Sequence, residues 1–515
     1  MDGFFGIIVA DGRTRQVVAI TDVVGSLHMY YRRWPAAVAL STSSLFLASL
    51  EPVTLDAVGC QEFIQTGVIY EDRTFYNEVR KLPPATISVF ANGGLNSQRR
   101  YWRPSDLVAE SLRAEEATDR IWEQLGSAVR RVSREFSSIA CDLTGGYDSR
   151  VITAALLAHN KAFTTVVSGV ADSGDVGVSS KLSAKLGVAH LHYPPMVGRV
   201  AFENLAPVLE LTDGECDLVA YYDVARIHSD LSGRFDISLN GSFGEVARGY
   251  WWELLCPHTG ARRKIDSEKL AIRRYAATSC GELFRHSCRI DLARHIREVI
   301  ERTIIGLEYH PNTFQMDTVY LGMRMQRWQG RLASSTNRIW PCLSPFIFRS
   351  VLETMLQSCS EVRKRSLLVR MMLAKYAEPI GAFPLAIGHP ALPATWRTIP
   401  KFRGILPYLA GRVVGKIGSR FVQPHPDMQQ KIRAELAQSE AVREILTPKH
   451  MRCMAMLDEA AVTKFLQRAQ GLPFTAGPEW SRLLTLEFAL ARSAAGISVH
   501  SGRVLPERVA AVSSK

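Results

Sequence analysis

The feature that most constrains the fold of this chain is a turn with two glycines at residues 143–150, between two short apolar stretches. Residues 138–141 precede the turn and residues 151–157 follow it. This pattern predicts a strand, a tight turn and a helix. Such a turn directs free backbone N–H groups and a helix N-terminus at one point, so we predict an anion-binding site there.

Asp148 is the chemically informative residue of this turn. The turn lacks the lysine of a Walker A loop and the third glycine of a dinucleotide-binding loop. A carboxylate beside an anion needs a cation between them, and Mg²⁺ is commonly held by one or two carboxylates together with phosphate oxygens. The alternative is a structural turn in which Asp148 and Ser149 only cap the following helix.

The turn resembles the pyrophosphate loop, Ser-Gly-Gly-x-Asp-Ser, of the asparagine synthetase and ATP-pyrophosphatase superfamily, with Thr144 in place of the first serine. The resemblance implies that ATP is split between its α and β phosphates. It implies ATP and Mg²⁺ as cofactors and Asp148 as a metal ligand. The residues that it places around the pyrophosphate are Leu143, Thr144, Gly145, Gly146, Tyr147, Asp148 and Ser149.

The predicted elements divide the chain of 515 residues into three parts. Residues 1–104 contain short apolar runs separated by turn or charged residues, which predicts strands. Between residues 138 and 249, strands alternate with helices, which predicts a parallel α/β sheet with ligands at the carboxyl ends of its strands. Residues 265–515 have mainly helical patterns, with a proline-rich break at residues 379–400.

The first part resembles the glutaminase domain of class II amidotransferases. That family opens Met-Cys-Gly-Ile-Phe-Gly, whereas this chain opens Met-Asp-Gly-Phe-Phe-Gly. The further segments that follow the family order are residues 22–26 with Tyr30, 67–75, 81–84 and 100–102. The resemblance implies an Ntn-hydrolase-like β-sandwich domain at residues 1–104. An ATP-pyrophosphatase-type parallel α/β synthetase domain with a helical C-terminal part would then occupy residues 105–515.

Asp2 stands where that family has its nucleophilic cysteine. The cysteine thiol attacks glutamine there, and the free α-amine acts as the base. Because Asp2 cannot form the thioester, we expect no glutaminase activity and a domain kept as a scaffold. The amine would then be free ammonia or part of the substrate. β-Lactam synthetases and lasso-peptide cyclases resemble this arrangement, and both join a carboxylate and an amine of one substrate into a ring.

Residues 240–245, followed by residues 248–250, resemble the family's second metal-side motif, Ser-Gly-Glu-Gly-Ser-Asp-Glu before Gly-Gly-Tyr. The stretch in this chain is one residue shorter and keeps only Glu245 as an acid. The resemblance implies Gly241 beside the phosphates and Glu245 as the second Mg²⁺ ligand. The alternative for Glu245 is a glutamate that stabilises a helix N-terminus.

The resemblance extends to four further residues. Val167 and Ser168, at the end of the second predicted strand, match the stretch that contacts adenine. Lys364 is the candidate for a basic residue at the adenylation transition state, or else part of a solvated charge cluster. Tyr320 is the candidate counterpart of the tyrosine that helps to deprotonate the amine in β-lactam synthetases, or else a packed core residue.

The net charge of +12 is partly local. A segment at residues 397–420 could meet an acidic peptide, a carrier protein, nucleic acid or a membrane surface, or it is a solvated basic face. Few aromatic residues lie among its charges, which disfavours nucleic acid. Its basic residues are Arg397, Lys401, Arg403, Arg412, Lys416 and Arg420.

The nine cysteines form no Cys-x-x-Cys pair, so neither a zinc site nor a redox pair is predicted. No apolar run is long enough to span a membrane, and no signal peptide is recognised. We therefore expect a reduced, cytoplasmic protein. The partners that we expect are a carboxylate- and amine-bearing small molecule or peptide, peptide-processing proteins and a second copy in a homodimer.

The leading hypothesis is an ATP-dependent amide, lactam or macrolactam synthetase. It would activate a carboxylate as an acyl-adenylate, release pyrophosphate and join the acyl group to an amine. One alternative is asparagine-synthetase-like amidation with free ammonia or ammonia from a partner. Another is a catalytically silent ATP-binding scaffold. A third is RNA modification, which the glutaminase-like first part of the chain disfavours.

Overall fold

The computed structural model describes residues 2–196, 200–276, 280–404, 428–470 and 477–493. Its N-terminal strands are β1 (Gly6–Asp11), β2 (Gln16–Thr21), β3 (Tyr30–Arg33), β4 (Val38–Ser41), β5 (Val79–Lys81), β6 (Thr86–Ala91) and β7 (Gly94–Arg100). They form two antiparallel sheets, in the orders β1-β2-β6-β7 and β4-β3-β5. Asn92 and Gly93 join β6 to β7, and their positive φ angles of 52° and 75° suit the tight hairpin turn that this dipeptide predicts.

A parallel sheet follows, as the alternating pattern predicted. Its strands are β8 (Ile139–Asp142), β9 (Thr164–Ser168), β10 (Ala189–Tyr193), β11 (Ile237–Leu239) and β12 (Cys342–Leu343). The strand order is β10-β9-β8-β11-β12, and every pair is parallel. The carboxyl ends of β8, β9 and β11 therefore meet at one edge, where a doubly wound sheet binds its ligands.

Helices pack on the parallel sheet and on the three-stranded antiparallel sheet, and they make up much of the remaining described chain. Up to the end of the parallel sheet they are α1 (Ser44–Ser49), α2 (Ala57–Thr66), α3 (Ala114–Glu135), α4 (Asp148–Ala158), α5 (Gly174–Leu186), α6 (Leu205–Thr212), α7 (Leu218–Ser232), α8 (Ser267–Arg274), α9 (Leu292–Thr303), α10 (Asn312–Val319) and α11 (Gly330–Thr336). The later helices are α12 (Arg349–Gln357), α13 (Ser360–Arg363), α14 (Leu367–Tyr376), α15 (Glu378–Gly381), α16 (Met428–Leu436), α17 (Glu440–Ile445), α18 (Glu459–Gln470) and α19 (Pro478–Ser493).

A π-helix at Tyr320–Gln329 joins α10 to α11 without a break. π-Helical turns are rare and occur frequently at functional sites. None of the helices in the described ranges is long and apolar enough to cross a membrane. Of the basic segment at residues 397–420, the positions Arg412, Lys416 and Arg420 lie outside the described residues.

The hydrophobic core does not divide at residue 104. One buried cluster joins Val23 and Trp102 to Ile121 and the parallel sheet, and a second joins Phe63 to Trp480. α19 packs directly on α1 and α2, so the end of the described chain covers its beginning. The boundary between residues 104 and 105 therefore stays a prediction.

Buried charges also connect the two predicted domains. Lys81 Nζ pairs with Glu215 Oε2 at 3.2 Å, and the hydroxyls of Tyr30 and Ser44 donate to the Glu215 carboxylate at 2.9 and 2.7 Å. Arg331 Nη1 donates to the Tyr30 hydroxyl at 2.9 Å. All five side chains are buried, and each hydrogen bond satisfies a group that would be costly to leave unpaired.

Candidate functional site

The turn between β8 and α4 is closed by its own side chains. Ser149 Oγ accepts a hydrogen bond from the Thr144 N–H (3.0 Å), and Thr144 Oγ1 accepts one from the Gly146 N–H (3.1 Å). α4 begins at Asp148, and Tyr147 at its N-cap makes no side-chain cap hydrogen bond. Neither Asp148 nor Ser149 is therefore the N-cap residue of α4, and the choice between an anion site and a structural turn stays a prediction.

The expectation of free N–H groups in this turn is wrong for three residues. The amides of Thr144 and Gly146 donate within the turn, and the Gly145 N–H donates to Asp175 Oδ1 at 2.9 Å. Asp175 lies in the first turn of α5, the helix that follows β9. Its carboxylate therefore faces the turn between β8 and α4. The amides of the first turn of α4 have no partner within their own helix, so an anion site there stays a prediction.

Asp148 lies between a cation and a second carboxylate. Its Oδ2 accepts a hydrogen bond from Arg248 Nη2 at 2.7 Å, whereas Oδ1 is buried with no hydrogen-bond partner among the described residues. Glu245 Oε2 is likewise buried without a partner there. Burial, followed by the charge of Glu245, raises the pKa of the Asp148 carboxyl, and the Arg248 guanidinium opposes that rise.

These two carboxylates fit Mg²⁺. Each has one buried oxygen without a hydrogen bond, and such an oxygen is costly unless a cation or a donor reaches it. No group of three or more acidic, histidine or cysteine residues arranged for a metal ion is found within the described parts of the chain. Mg²⁺ requires no such group, because it is commonly bound by one or two carboxylates, phosphate oxygens and water.

Two glycines allow the second loop to approach Asp148. A Cβ atom on Gly244 would lie 2.7 Å from Asp148 Cγ, and one on Gly241 would lie 2.6 Å from the Ser149 backbone nitrogen. Real Cβ atoms are essentially never found so close, so both positions require glycine. The loop after β11 therefore places Gly241 and Glu245, two of the predicted site residues, beside Asp148.

Val167 and Ser168 lie at the carboxyl end of β9, beside the turn. β9 pairs with β8, and Asp142 at the end of β8 faces Val166. Val167 is buried in the sheet, whereas Ser168 is exposed at its edge. The structure therefore places both at the same edge as residues 143–149, and their contact with adenine stays a prediction.

Sequence analysis missed two arginines at this turn. The guanidinium groups of Arg248 and Arg370 lie 5.7 and 5.5 Å from the centroid of the Tyr147 ring, and Arg370 Nη2 donates to the Tyr147 hydroxyl at 2.6 Å. Arg248 begins the stretch at residues 248–250 that belongs to the predicted second motif, so the sequence contained a signal for its position. Arg370 comes from α14, more than 200 residues along the chain from Tyr147, and nothing in the sequence linked the two.

Tyr320 starts the π-helix and is packed among aromatic rings. Its ring centroid lies 5.0 Å from that of Trp251 and 5.2 Å from that of Tyr250. Burial, and then the charge of Glu245, raise the pKa of the Tyr320 phenol, so this phenol is protonated at neutral pH. The charge of Glu245 acts on this phenol, and the catalytic role of Tyr320 stays a prediction.

Lys364 lies next to the second loop. Its Nζ pairs with the Glu361 carboxylate at 3.3 Å, and both side chains are exposed. The segment from Lys364 to Ser366 packs against the turn at Gly244–Arg248, and Arg365 and Ser366 have positive φ angles of 53° and 59°. These backbone conformations are uncommon outside glycine and hold a basic segment beside Glu245. The role of Lys364 in adenylation stays a prediction.

Asp2 has a structural partner in the synthetase part of the chain. Its carboxylate accepts a hydrogen bond from the Arg349 N–H at the start of α12 and another from the Ser350 hydroxyl at 3.3 Å. Arg131 Nη2 lies 3.6 Å from Asp2 Oδ2. A carboxylate at a helix N-terminus is stabilising, so the residue in the place of the nucleophile connects the two predicted domains.

Two family models match the chain. Residues 1–102 match the glutamine amidotransferase domain, and residues 120–226 match asparagine synthase. The second match includes residues 143–149, Val167 and Ser168 but ends before Gly241 and Glu245. No curated protein matches the chain.

The two matches, in this order, support the asparagine synthetase-like superfamily that the sequence patterns predicted. The mixed fold, with N-terminal sheets before a parallel sheet and many helices, agrees with an Ntn-like domain followed by a synthetase domain. The asparagine synthase match also supports a ligase-type, ATP-dependent synthetase.

Proposed function

We propose that this protein is an AMP-forming carbon–nitrogen ligase that makes a lactam or macrolactam, as β-lactam synthetases and lasso-peptide cyclases do. The observation that carries the proposal is the pair of buried, unpaired oxygens of Asp148, at the start of α4, and Glu245, in the loop after β11. They provide a place for a cation beside an anion-binding helix N-terminus.

In the proposed reaction, a substrate carboxylate attacks the α-phosphate of ATP and pyrophosphate leaves. The product is an acyl-adenylate, and an amine then attacks the acyl carbon and displaces AMP. Mg²⁺ held by Asp148 and Glu245 would neutralise phosphate charge. Arg248 and Arg370 flank Tyr147 and add positive charge at the same turn, and guanidinium groups suit phosphate oxygens.

The amine source follows from Asp2. A carboxylate that caps α12 has no thiol to form a glutamyl thioester, so this chain makes no ammonia from glutamine. An amine within the substrate then gives ring closure. The in-class alternative is amidation by free ammonia or by ammonia from a partner. All nine cysteines are free, which supports a reducing, cytoplasmic location as part of this proposal.

A second candidate function is a catalytically silent ATP-binding scaffold. The observation in its favour is that Asp175 occupies the Gly145 amide and Arg248 occupies one oxygen of Asp148. Bound ATP would have to compete with both contacts. Both functions require these contacts to be exchanged when Mg-ATP binds, so turnover is what distinguishes a ligase from a scaffold.

The test is a product analysis. The protein is incubated with Mg-ATP and a panel of amino acids, dicarboxylic acids and peptides with internal aspartate or glutamate, and AMP, pyrophosphate and ADP are quantified. We expect AMP and pyrophosphate in equal amounts with at least one acid. ADP would contradict adenylation. ATP binding without turnover of any acid would favour the scaffold.

A further inference from the structure

A cavity of about 210 Å³ lies at the carboxyl edge of the parallel sheet, beside the candidate ATP site. The ends of β8, β11 and β12 form its floor, α7 and α11 form one side, and Phe4 of the N-terminal domain lines it as well. The only charged side chain among the described residues that line it belongs to Asp142. The site described above does not use this carboxylate.

Asp142 points away from α4. The preceding residue, Cys141, contacts Thr153 of α4, and successive side chains of a strand point to opposite faces. The Asp142 carboxylate accepts no hydrogen bond from the described residues, and burial raises its pKa to about 7. The Asp142 side chain is half-buried, so a cation or a hydrogen-bond donor in this mainly apolar cavity would stabilise its charged form.

One short loop separates this cavity from the phosphates. Gly241 contacts the backbone at Asp148 and Ser149, whereas its neighbours Asn240 and Ser242 line the cavity. Gln329 Nε2 donates to Ser242 Oγ at 2.9 Å, which uses one lone pair of this hydroxyl and leaves the other for a donor in the cavity. The loop at residues 240–242 therefore lies between the cavity and the start of α4, where the phosphates are expected.

We propose that this cavity binds the amine of the substrate as a primary ammonium group, and that the Asp142 carboxylate accepts a proton from it before attack. The proposal rests on the proposed ligase function and names the amine subsite and the base. The volume limits the group to an ammonium on a short chain, such as the end of a peptide or of a small amino acid.

Other titratable groups near the cavity are less suited to be the base. Burial lowers the pKa of His228 to about 4, and its Nδ1 accepts a hydrogen bond from Trp340 Nε1 at 3.0 Å. His228 therefore stays neutral with its lone pair occupied. Burial keeps the thiols of Cys141 and Cys342, which adjoin Asp142, protonated by raising their pKa.

The step balances in atoms and charge. The ammonium gives one proton to Asp142, and its nitrogen lone pair forms the C–N bond to the acyl carbon. The bond between that carbon and the AMP oxygen breaks, and AMP leaves with the electron pair. The second proton of the nitrogen goes to the leaving phosphate, so the products are the amide, AMP and a protonated Asp142, which then releases its proton to water.

The first arm of the test measures binding without ATP chemistry. The full chain carries ¹³Cγ-labelled aspartate, and the Asp142→Asn variant identifies the Asp142 signal by its loss. Methylammonium is the probe, and tetramethylammonium, which has no N–H, is the control at equal ionic strength. We expect a saturable shift of the Asp142 signal with methylammonium alone. No shift, or equal shifts with both cations, would overturn the proposal.

The second arm separates the two half-reactions, with an acid that supports turnover. Asp142→Asn should keep ATP–pyrophosphate exchange within about twofold of wild type and reduce amide formation about 100-fold, the usual contribution of a general base. Its amide-forming rate should then rise with pH as free amine accumulates. Equal losses in both half-reactions would contradict a role for Asp142 in amine activation.

Asp291→Asn is the matched control, because Asp291 caps α9 and asparagine caps a helix equally well. The two proposals fail in distinguishable ways. If no acid supports exchange in wild type, the ligase function fails, while the methylammonium measurement still decides whether the cavity binds an ammonium group.

Discussion

At the scale of single residues, Asp148 has one carboxylate oxygen bound to Arg248 and the other buried without a partner. Asp148→Asn keeps the shape but removes the charge that would hold Mg²⁺. We predict at least a 100-fold loss of pyrophosphate release, on the order of the loss when one preorganised charge-stabilising group is removed. The measurement is pyrophosphate release with saturating Mg-ATP.

Asp291→Asn serves as the control here too and should match wild type. An unaffected rate in Asp148→Asn would remove Asp148 from the metal site. Glu245→Gln should show a loss of the same kind, since its unpaired oxygen accompanies that of Asp148.

Asp142 gives a prediction about stability and pH. Its pKa is about 7 in the folded protein, against an ordinary value of 3.8, so between these pH values the folded state binds the extra proton. Stability from this group is complete below pH 4 and is lost as the pH rises to 7. Asp142→Asn should therefore be more stable than wild type by about 2 kcal/mol at pH 8, roughly half of the full effect of three pKa units, because the amide is also buried.

Urea unfolding of both proteins at pH 5 and pH 8 measures this difference. The difference in the free energy of unfolding between the variant and wild type should increase with pH, because a functional charge in an apolar site destabilises the folded protein. The same gap at both pH values would show that Asp142 is ionised throughout.

The acidic residues of the candidate site could be predicted from the sequence, but the side chains that contact the turn from other helices could not. Asp148 and Glu245 stand in local patterns with glycines, and the spacing of those patterns is visible in one stretch of chain. Arg370 and Asp175 reach the turn from other helices, and the contact depends on how those helices pack. Such partners depend on tertiary structure, which no local pattern encodes.

At the scale of elements, the loop after β11 depends on small residues. A methyl group at Gly244 would lie 2.7 Å from Asp148 Cγ. We predict that Gly244→Ala displaces the loop or Asp148 and reduces pyrophosphate release at least tenfold, since about 1 Å of misplacement can cost more than that.

Gly177→Ala is the matched control. Gly177 lies inside α5, and nothing is within 4 Å of a Cβ atom there. Alanine should leave the activity unchanged and stabilise the helix by about 0.5–1 kcal/mol. Equal activity of the two variants would contradict the close approach of the loops.

The strands of the parallel sheet were predicted to different degrees. β8 to β11 are flanked by turns and alternate with helical patterns, so they were visible in the sequence. β12 has two residues and pairs with β11 about 100 residues earlier in the chain, so only the closed sheet defines it. The π-helix at Tyr320–Gln329 has no pattern that distinguishes it from an ordinary helix.

At the scale of the whole molecule, shared cores and buried ion pairs join the two predicted domains. We predict one cooperative unfolding transition, with circular dichroism and tryptophan fluorescence reporting the same midpoint. Glu215→Gln should lower the free energy of unfolding by about 3–5 kcal/mol, because Lys81 is left buried without its counter-charge, and should keep a single transition.

Two separate transitions would show instead that residues 1–104 fold on their own. The order of the domains was visible in the sequence because each has its own local motifs. The capping of α12 by Asp2 and the packing of α19 on α1 and α2 join residues hundreds of positions apart. A single sequence contains no local signal for such contacts.

The most direct test of the central claim follows oxygen from the carboxylate. A substrate acid labelled with ¹⁸O in its carboxylate is converted with Mg-ATP, and the products are analysed by mass spectrometry. Attack on the α-phosphate predicts one ¹⁸O in AMP and none in pyrophosphate. ADP together with ¹⁸O-labelled inorganic phosphate would contradict the acyl-adenylate. AMP without the label would contradict it as well.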